Sequence, residues 1–162
     1  MPEINSDHLM AVINVINDCP FFRHMSMRVV ELGHGYSVVK AKIGKKHMNP
    51  FGGLHGGVYA SVIDTAAYWS AYCDLPATSG MITIDLKVDF LAPVLKDEII
   101  IKGERIKSGK TIHLTQASAF SSSGKLLAHG TSKLMVTPDK QSIQNIVEYA
   151  GLGKLPQKFI QK

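Results

Sequence analysis

The sequence predicts an α+β fold in which a curved antiparallel sheet wraps around one long central helix. Three observations predict it. From Gly56 to Cys73 only one charged side chain occurs, Asp64, among Val58, Ala60, Val62, Ile63, Ala66, Ala67, Trp69 and Ala71. A run of about 17 helix-compatible residues, apolar all round, reads as a buried helix roughly 25 Å long. Residues 81–91 (MITIDLKVDFL) then alternate, with Ile82, Ile84, Leu86, Val88 and Phe90 on one face and Thr83, Asp85, Lys87 and Asp89 on the other, as in a half-buried strand. Finally, residues 97–107, 111–121 and 126–137 follow as strands joined by short turns, which implies antiparallel pairing. A helix apolar on every side needs cover on every side, from a strongly curved sheet or from a sheet plus a neighbouring subunit. One helix cannot cover both faces of six strands, so an oligomer is expected.

In chain order, Ser6 can cap a first helix running through Asp18, with Leu9, Val12, Ile13 and Ile16 forming an amphipathic stripe and Pro20 ending it. Residues 25–33 and 36–43 read as two strands joined at His34-Gly35, a hairpin. A Gly- and Pro-rich loop, 44–54, delivers the chain to the central helix. Ala92-Pro93 breaks the alternating strand, and Ser108-Gly109-Lys110 and Ser122-Ser123-Gly124-Lys125 supply the later turns. Residues 141–149 read as a short helix and the last dozen as a loose tail. The expected organisation is therefore an N-terminal helix (1–20), a central domain (21–138), and a C-terminal short helix and tail (139–162).

The chain has 162 residues, which suits one sizeable core, and a formal charge of +5 from 18 basic and 13 acidic side chains. The basic residues are dispersed, with no helix-turn-helix or basic-aromatic interleaving, so nucleic acid is not an expected partner, whereas an anionic small ligand is compatible. Cys19 and Cys73 lie far apart and read as reduced core residues. The first 20 residues contain Glu3, Asp7 and Asp18 without a basic-then-apolar pattern, and the apolar run carrying Asp64, Ser61 and Thr65 is too short and polar to span a bilayer. A cytoplasmic protein with no membrane partner is expected. The seven histidines show no HxH, HExxH or Cys-pair spacing, so no metal and no cofactor are expected.

The central stretch carries two costly features. Asp64 places a carboxylate in an otherwise apolar helix, so its pKa must move or a partner must answer it. His55-Gly56-Gly57 opens the helix with poor helix formers whose backbone N–H groups stay approachable at the positive end of the dipole. An approachable positive pole and a buried carboxylate are two halves of a hydrolytic site. Asp64 lies eight residues after Gly56, about 12 Å along one helix, whereas a base must sit within about 3 Å or one water of its proton. Asp64 therefore cannot serve a carbonyl held by its own Gly56, but can serve one held by a second subunit whose helix runs antiparallel alongside.

With the motif Asn49-x5-His55-Gly56-Gly57-x6-Asp64 followed by the sheet of 81–137, residues 20–137 resemble the hotdog-fold acyl-CoA thioesterases of the thioesterase superfamily, in the PaaI-type and THEM2-like branch. The resemblance implies a hotdog fold, an acyl-CoA substrate, and a homodimer or a dimer of dimers (a homotetramer). It implies that the Gly56 N–H polarises the thioester carbonyl, that Asn49 holds the carbonyl or the attacking water, that Asp64 is general base or nucleophile, and that Thr83, where close relatives carry Ser, orients the water. The alternation above, however, puts Thr83 on the polar face, away from its own helix. His55 would orient the site or merely bond a loop carbonyl, and Gly57 would contact substrate.

Plainer readings stand beside these. Asp64 can be a structural carboxylate satisfied by Ser or Thr, and Asn49 before Pro50 is a common turn starter. Lys107, Ser108 and Lys110 sit at a turn that can meet CoA phosphates or simply be solvated. Tyr68, Trp69 and Tyr72 read as core, dimer contacts or acyl-pocket lining, and His47, His113 and His129 as satisfied sheet or loop residues. Against a thioesterase stand a non-catalytic acyl-CoA binder, which needs no base, and a β-hydroxyacyl dehydratase, whose Asp-x4-His element is not found.

Overall fold

Gly35 turns the chain between β1 (Met27–Gly33) and β2 (Tyr36–Lys42) with φ 75°, which an L side chain resists, and this is the hairpin expected at His34-Gly35. A computed structural model describes residues 2–95 and 98–160. Helices α1 (Ser6–Asn17) and α2 (Pro20–His24) precede the hairpin, and α3 (Gly56–Ser70) follows it. Then come β3 (Gly80–Phe90), β4 (Glu98–Ser108), β5 (Ile112–Phe120), β6 (Leu126–Thr137) and α4 (Ile143–Tyr149). The first residue of the strand expected at 97–107, Asp97, lies outside the described residues.

All six strands join one antiparallel sheet in the order β1-β2-β4-β5-β6-β3, so the α3 crossover carries the chain from the β2 side to the far edge. The sheet wraps α3, whose Val58, Val62, Ile63, Ala66 and Ala67 are buried. Its fit to β2 and β4 centres on Ala66. The Ser37 hydroxyl donates to the Ala66 carbonyl at 2.7 Å, and β4 passes so close at Gly103 that a Cβ there would stand 2.1 Å from the same oxygen. One stripe of α3 stays only half-buried: Ala60, Ser61, Asp64 and Tyr68, at helical spacing. The chain's own sheet thus covers most of the helix and leaves this stripe open, where the sequence asked for cover on every side.

Three expectations are corrected. The first helix is capped by Asn5, whose side chain accepts from the Asp7 N–H at 3.0 Å, not by Ser6, and it ends at Asn17 while Pro20 opens α2. Proline is favourable at a first helical position, where its missing N–H is not needed.

The strict alternation of 81–91 fails at Ile84. The β3–β6 register pairs Thr83 with Leu134 and Asp85 with Lys133, so Ile84 is an extra, unpaired residue. Such a bulge moves every side chain on one side of it to the other face. Thr83 shares the helix-facing side with Leu86 and Val88, while Ile84 is 50% exposed.

The C-terminal residues are docked, not loose. Phe159 bridges Ile4, and Lys158 is 3% exposed, with Nζ donating to the Tyr72 and Leu75 carbonyls at 2.6 and 2.8 Å just past the end of α3. Burial pulls its pKa down to about 8. His8 donates through Nδ1 to the Pro156 carbonyl at 2.7 Å, so its Nε2 accepts from the Tyr72 hydroxyl at 2.6 Å.

Gly103→Ala tests the close approach of β4 to α3. A backbone oxygen cannot swing aside as a side chain does, so denaturant unfolding should show a loss of about 1–3 kcal/mol or more. An unchanged midpoint would mean that β4 and α3 separate freely.

Candidate active site

His55 is the N-cap of α3, with its Nδ1 accepting from the Gly57 N–H at 2.9 Å. It therefore completes the helix start rather than bonding a loop carbonyl, and it occupies the Gly57 amide expected to contact substrate. The Gly56 N–H has no hydrogen-bond partner among the described residues. This amide opens on a cleft of about 400 Å³ lined by Leu54, Gly56, Tyr59, Phe90 and Leu91. A Cβ at Gly56 would stand 3.3 Å from the Phe90 ring, so glycine keeps ring and amide together. A 15-residue helix aims its positive pole at this point.

Asn49 holds the approach loop. Its Oδ1 accepts from Phe51 N–H at 2.9 Å and Gly53 N–H at 3.1 Å, the turn-forming role the sequence left open. Its Nδ2 donor has no partner among the described residues, so the side chain can shape the loop and still donate to a ligand.

Asp64 lies two turns further along α3. Its Oδ1 accepts from the Thr83 hydroxyl at 2.9 Å. This bond corrects the placement of Thr83, because the bulge at Ile84 turns it toward α3 rather than away. Burial raises the Asp64 pKa above the ordinary carboxylate range, and the Thr83 hydrogen bond partly opposes that rise. The carboxylate opens on a cleft of about 570 Å³ lined by Tyr68, Met81, Thr83, Asn145, Ile146 and Tyr149. Tyr68 donates to the Met81 carbonyl at 3.1 Å, fixing one wall.

The structure thus gathers Asn49, His55, Gly56 and Gly57 at one end of α3 and Asp64 with Thr83 midway along it. Lys107, Ser108 and Lys110 are exposed on the β4–β5 turn and do not join Gly56 of the same chain. That turn lies beyond the other end of α3, past Arg105, whose guanidinium pairs with Asp74 at 2.5 Å.

Sequence reasoning missed α4 as a wall of the Asp64 cleft. The signal was present: Ser142 caps α4 in a capping box with Asn145, and Ile143, Ile146 and Val147 fall at helical spacing. Of the three histidines read as satisfied, His47 bonds Gly44 and Met25 and His129 bonds Ser118, but buried His113 leaves Nδ1 without a partner. Among the described residues no cluster of three or more His, Cys, Asp or Glu is placed to hold a metal ion, and no helix is long and apolar enough to cross a membrane.

A six-stranded antiparallel sheet curled around one helix, with an open amide at the helix start and a carboxylate midway, is the hotdog architecture of a ligand-binding or hydrolytic domain. The family described as the thioesterase superfamily matches residues 51–128, from the loop before α3 into β6. Over that segment, just under half of its length, the chain is similar to the thioesterase superfamily. It is similar to acyl-coenzyme A thioesterase 13 of Homo sapiens, 28% identical over 104 residues, covering 63% of this chain and 74% of that protein. The Mus musculus protein of the same name is 26% identical over 129 residues, covering 77% and 91%. A crystal structure of a thioesterase from Haemophilus influenzae matches in fold with a TM-score of 0.77 at 19% identity, covering 87% of this chain and 98% of that one.

The Asp64–Thr83 pair is open to direct titration. In carboxyl-resolved NMR, Thr83→Ala should move the Asp64 pKa further up, because the lost bond favoured the charged form, while Thr83→Ser should leave it near the wild-type value. A folded pKa above the unfolded one means stability is lost as pH rises through that window. Asp64→Asn should therefore match wild type in acid and exceed it at neutral pH, as read by thermal unfolding.

Proposed function

We propose that the protein is a thioester hydrolase that cleaves acyl- or aryl-CoA thioesters to CoA and a free carboxylic acid. The observation carrying this reading is the pairing, on one helix, of a Gly56 N–H donor with no acceptor among the described residues and a half-buried, pKa-raised Asp64 held by Thr83. The match of residues 51–128 to the thioesterase superfamily and the similarity to acyl-coenzyme A thioesterase 13 support the same reaction class.

In the proposed chemistry the thioester carbonyl lies against the Gly56 N–H and the positive end of α3. Negative charge developing on its oxygen is stabilised there, and Asn49 adds a donor through Nδ2. The partner subunit's Asp64 takes a proton from water as that water attacks the carbonyl carbon, or attacks the carbon directly to form a mixed anhydride that water then hydrolyses to the free acid and the regenerated carboxylate. The C–S bond breaks, and the sulfur leaves as thiolate to be protonated. Thr83 is a positioning residue, holding Asp64 in one rotamer and keeping enough of it ionised to act as base.

Distance supports a site shared by two subunits. Eight residues separate Gly56 from Asp64, about 12 Å of helix. Two features of the fold support a pair of antiparallel α3 helices: the half-buried stripe that carries Asp64, and β3, an 11-residue strand at the sheet edge. An unpaired edge of that length is a template for pairing with another chain. In such a dimer the partner's β4–β5 turn comes to this chain's Gly56 end, so Lys107, Ser108 and Lys110 would meet CoA phosphates across the interface. The cytoplasm, where acyl-CoA is found, is the setting this reading implies, and a dimer of dimers is compatible with it.

Thiol release from a panel of acyl-CoA esters tests the reaction. Asp64→Ala should reduce kcat by about 10²–10⁴-fold. Mixing refolded Asp64→Ala and Asn49→Ala chains should restore activity, since the mixed dimer has one site free of both lesions. No recovery would place both groups in one chain's site, and wild-type binding without turnover would make the protein a sensor rather than an enzyme.

A further inference from the structure

Three cavities meet at one side chain. Ile146 lines the Asp64 cleft, a smaller cavity of about 170 Å³ beneath α4, and an apolar groove of about 470 Å³ between α1, α2, α3 and α4. Tyr68 is shared by the first two, and Trp69 by the last two. The groove's lining includes Val15, Cys19, Phe22, Trp69 and Leu152. Its charged residues, Asp18 and Arg23, pair with each other at 2.8 Å, leaving no spare charge to hold a polar ligand. A volume of this order lies within the roughly 300–1,000 Å³ of small-molecule pockets.

We propose that the aliphatic chain of the acyl substrate passes from the Asp64 cleft beneath α4 into this groove, and that Ile146 sets the chain length accepted. The proposal rests on the hydrolase reading for the identity of the occupant. The shared walls argue for an acyl tail. The groove has no separate polar anchor, and its route to a polar group runs past Tyr68 to the carboxylate at which the thioester carbon would be attacked. The narrow middle cavity admits a flexible polymethylene chain, whereas an aryl group fills the Asp64 cleft and stops. The gate is held from the core side, because Ile143 and Val147 are buried and anchor α4, leaving Ile146 at the junction.

Cys19 supplies a reporter that does not depend on turnover. It lines the groove and is exposed, while Cys73 is buried with its thiol pushed up to about 11 and stays unreactive. Iodoacetamide labelling read by mass spectrometry should be slowed about tenfold by saturating dodecanoyl-CoA thioether, a non-hydrolysable analogue, and not by free CoA or the acetyl analogue. Ile146→Trp should abolish that protection. It should also lower kcat/KM for dodecanoyl-CoA about tenfold relative to that for acetyl-CoA.

Protection without hydrolysis by wild type would sustain the groove and remove the hydrolase reading. Hydrolysis with no protection, or with Ile146→Trp slowing all chain lengths alike, would overturn the groove and leave the hydrolase. Shielding of Cys19 in the ligand-free protein that grows with concentration would mean a second copy occupies the groove, and would overturn the proposal.

Discussion

Asp64 sits half-buried on a helix with no other charged side chain, and taking a carboxylate out of water is expensive unless something answers it. What answers it here is one hydroxyl, from Thr83 on β3. That single bond does not cancel the burial, and the carboxyl group remains a weaker acid than usual. A core helix chosen for stability alone would carry Asn or a hydrophobe at this position. The rest of α3 compensates: Val62, Ile63, Ala66 and Ala67 are completely buried, and each large apolar side chain so placed contributes about 1.5–3 kcal/mol. The helix can hold an unfavourable carboxylate because its other faces are so well covered.

The bond from Thr83 exists because of a one-residue irregularity. Without the bulge at Ile84, the period of the strand would send Thr83 outward whenever Leu86 and Val88 face the core. With it, both Thr83 and the Leu86–Val88 pair face α3. A bulge beside a candidate site re-aims a side chain that regular pairing would misplace. The extra residue is set at a sheet edge, where no second neighbour strand has to accommodate it.

This irregularity also marks where sequence reading stops. The architecture is legible because α3 is apolar on every face and because the strands are bounded by Gly and Ser turns, both local signals of composition and period. Gly56 and Asp64 are legible because glycine at a helix start and a lone charge in an apolar run are each anomalous. Thr83 is assigned to the wrong face, since a bulge leaves no mark in a two-residue alternation. The role of His55 splits similarly: its place at the helix start can be read, but the occupation of the Gly57 amide by its Nδ1 depends on a rotamer. The C-terminal segment looks loose because its few apolar residues are scattered, yet Lys158 docks through backbone carbonyls that no side-chain pattern announces.

The two halves of the proposed site also tune each other. Docking a second α3 against the open stripe would remove more water from Asp64, which pushes its pKa up. The same docking brings the positive start of the partner's helix toward the carboxylate, which pulls the pKa down. A general base must be ionised at working pH yet retain affinity for a proton, so opposing influences on its acidity are useful. In a single chain only the first of these influences acts, offset by Thr83 alone. In the proposed dimer, assembly would supply the opposing charge as it completes the desolvation, and the strength of the base would then belong to the pair of chains rather than to one.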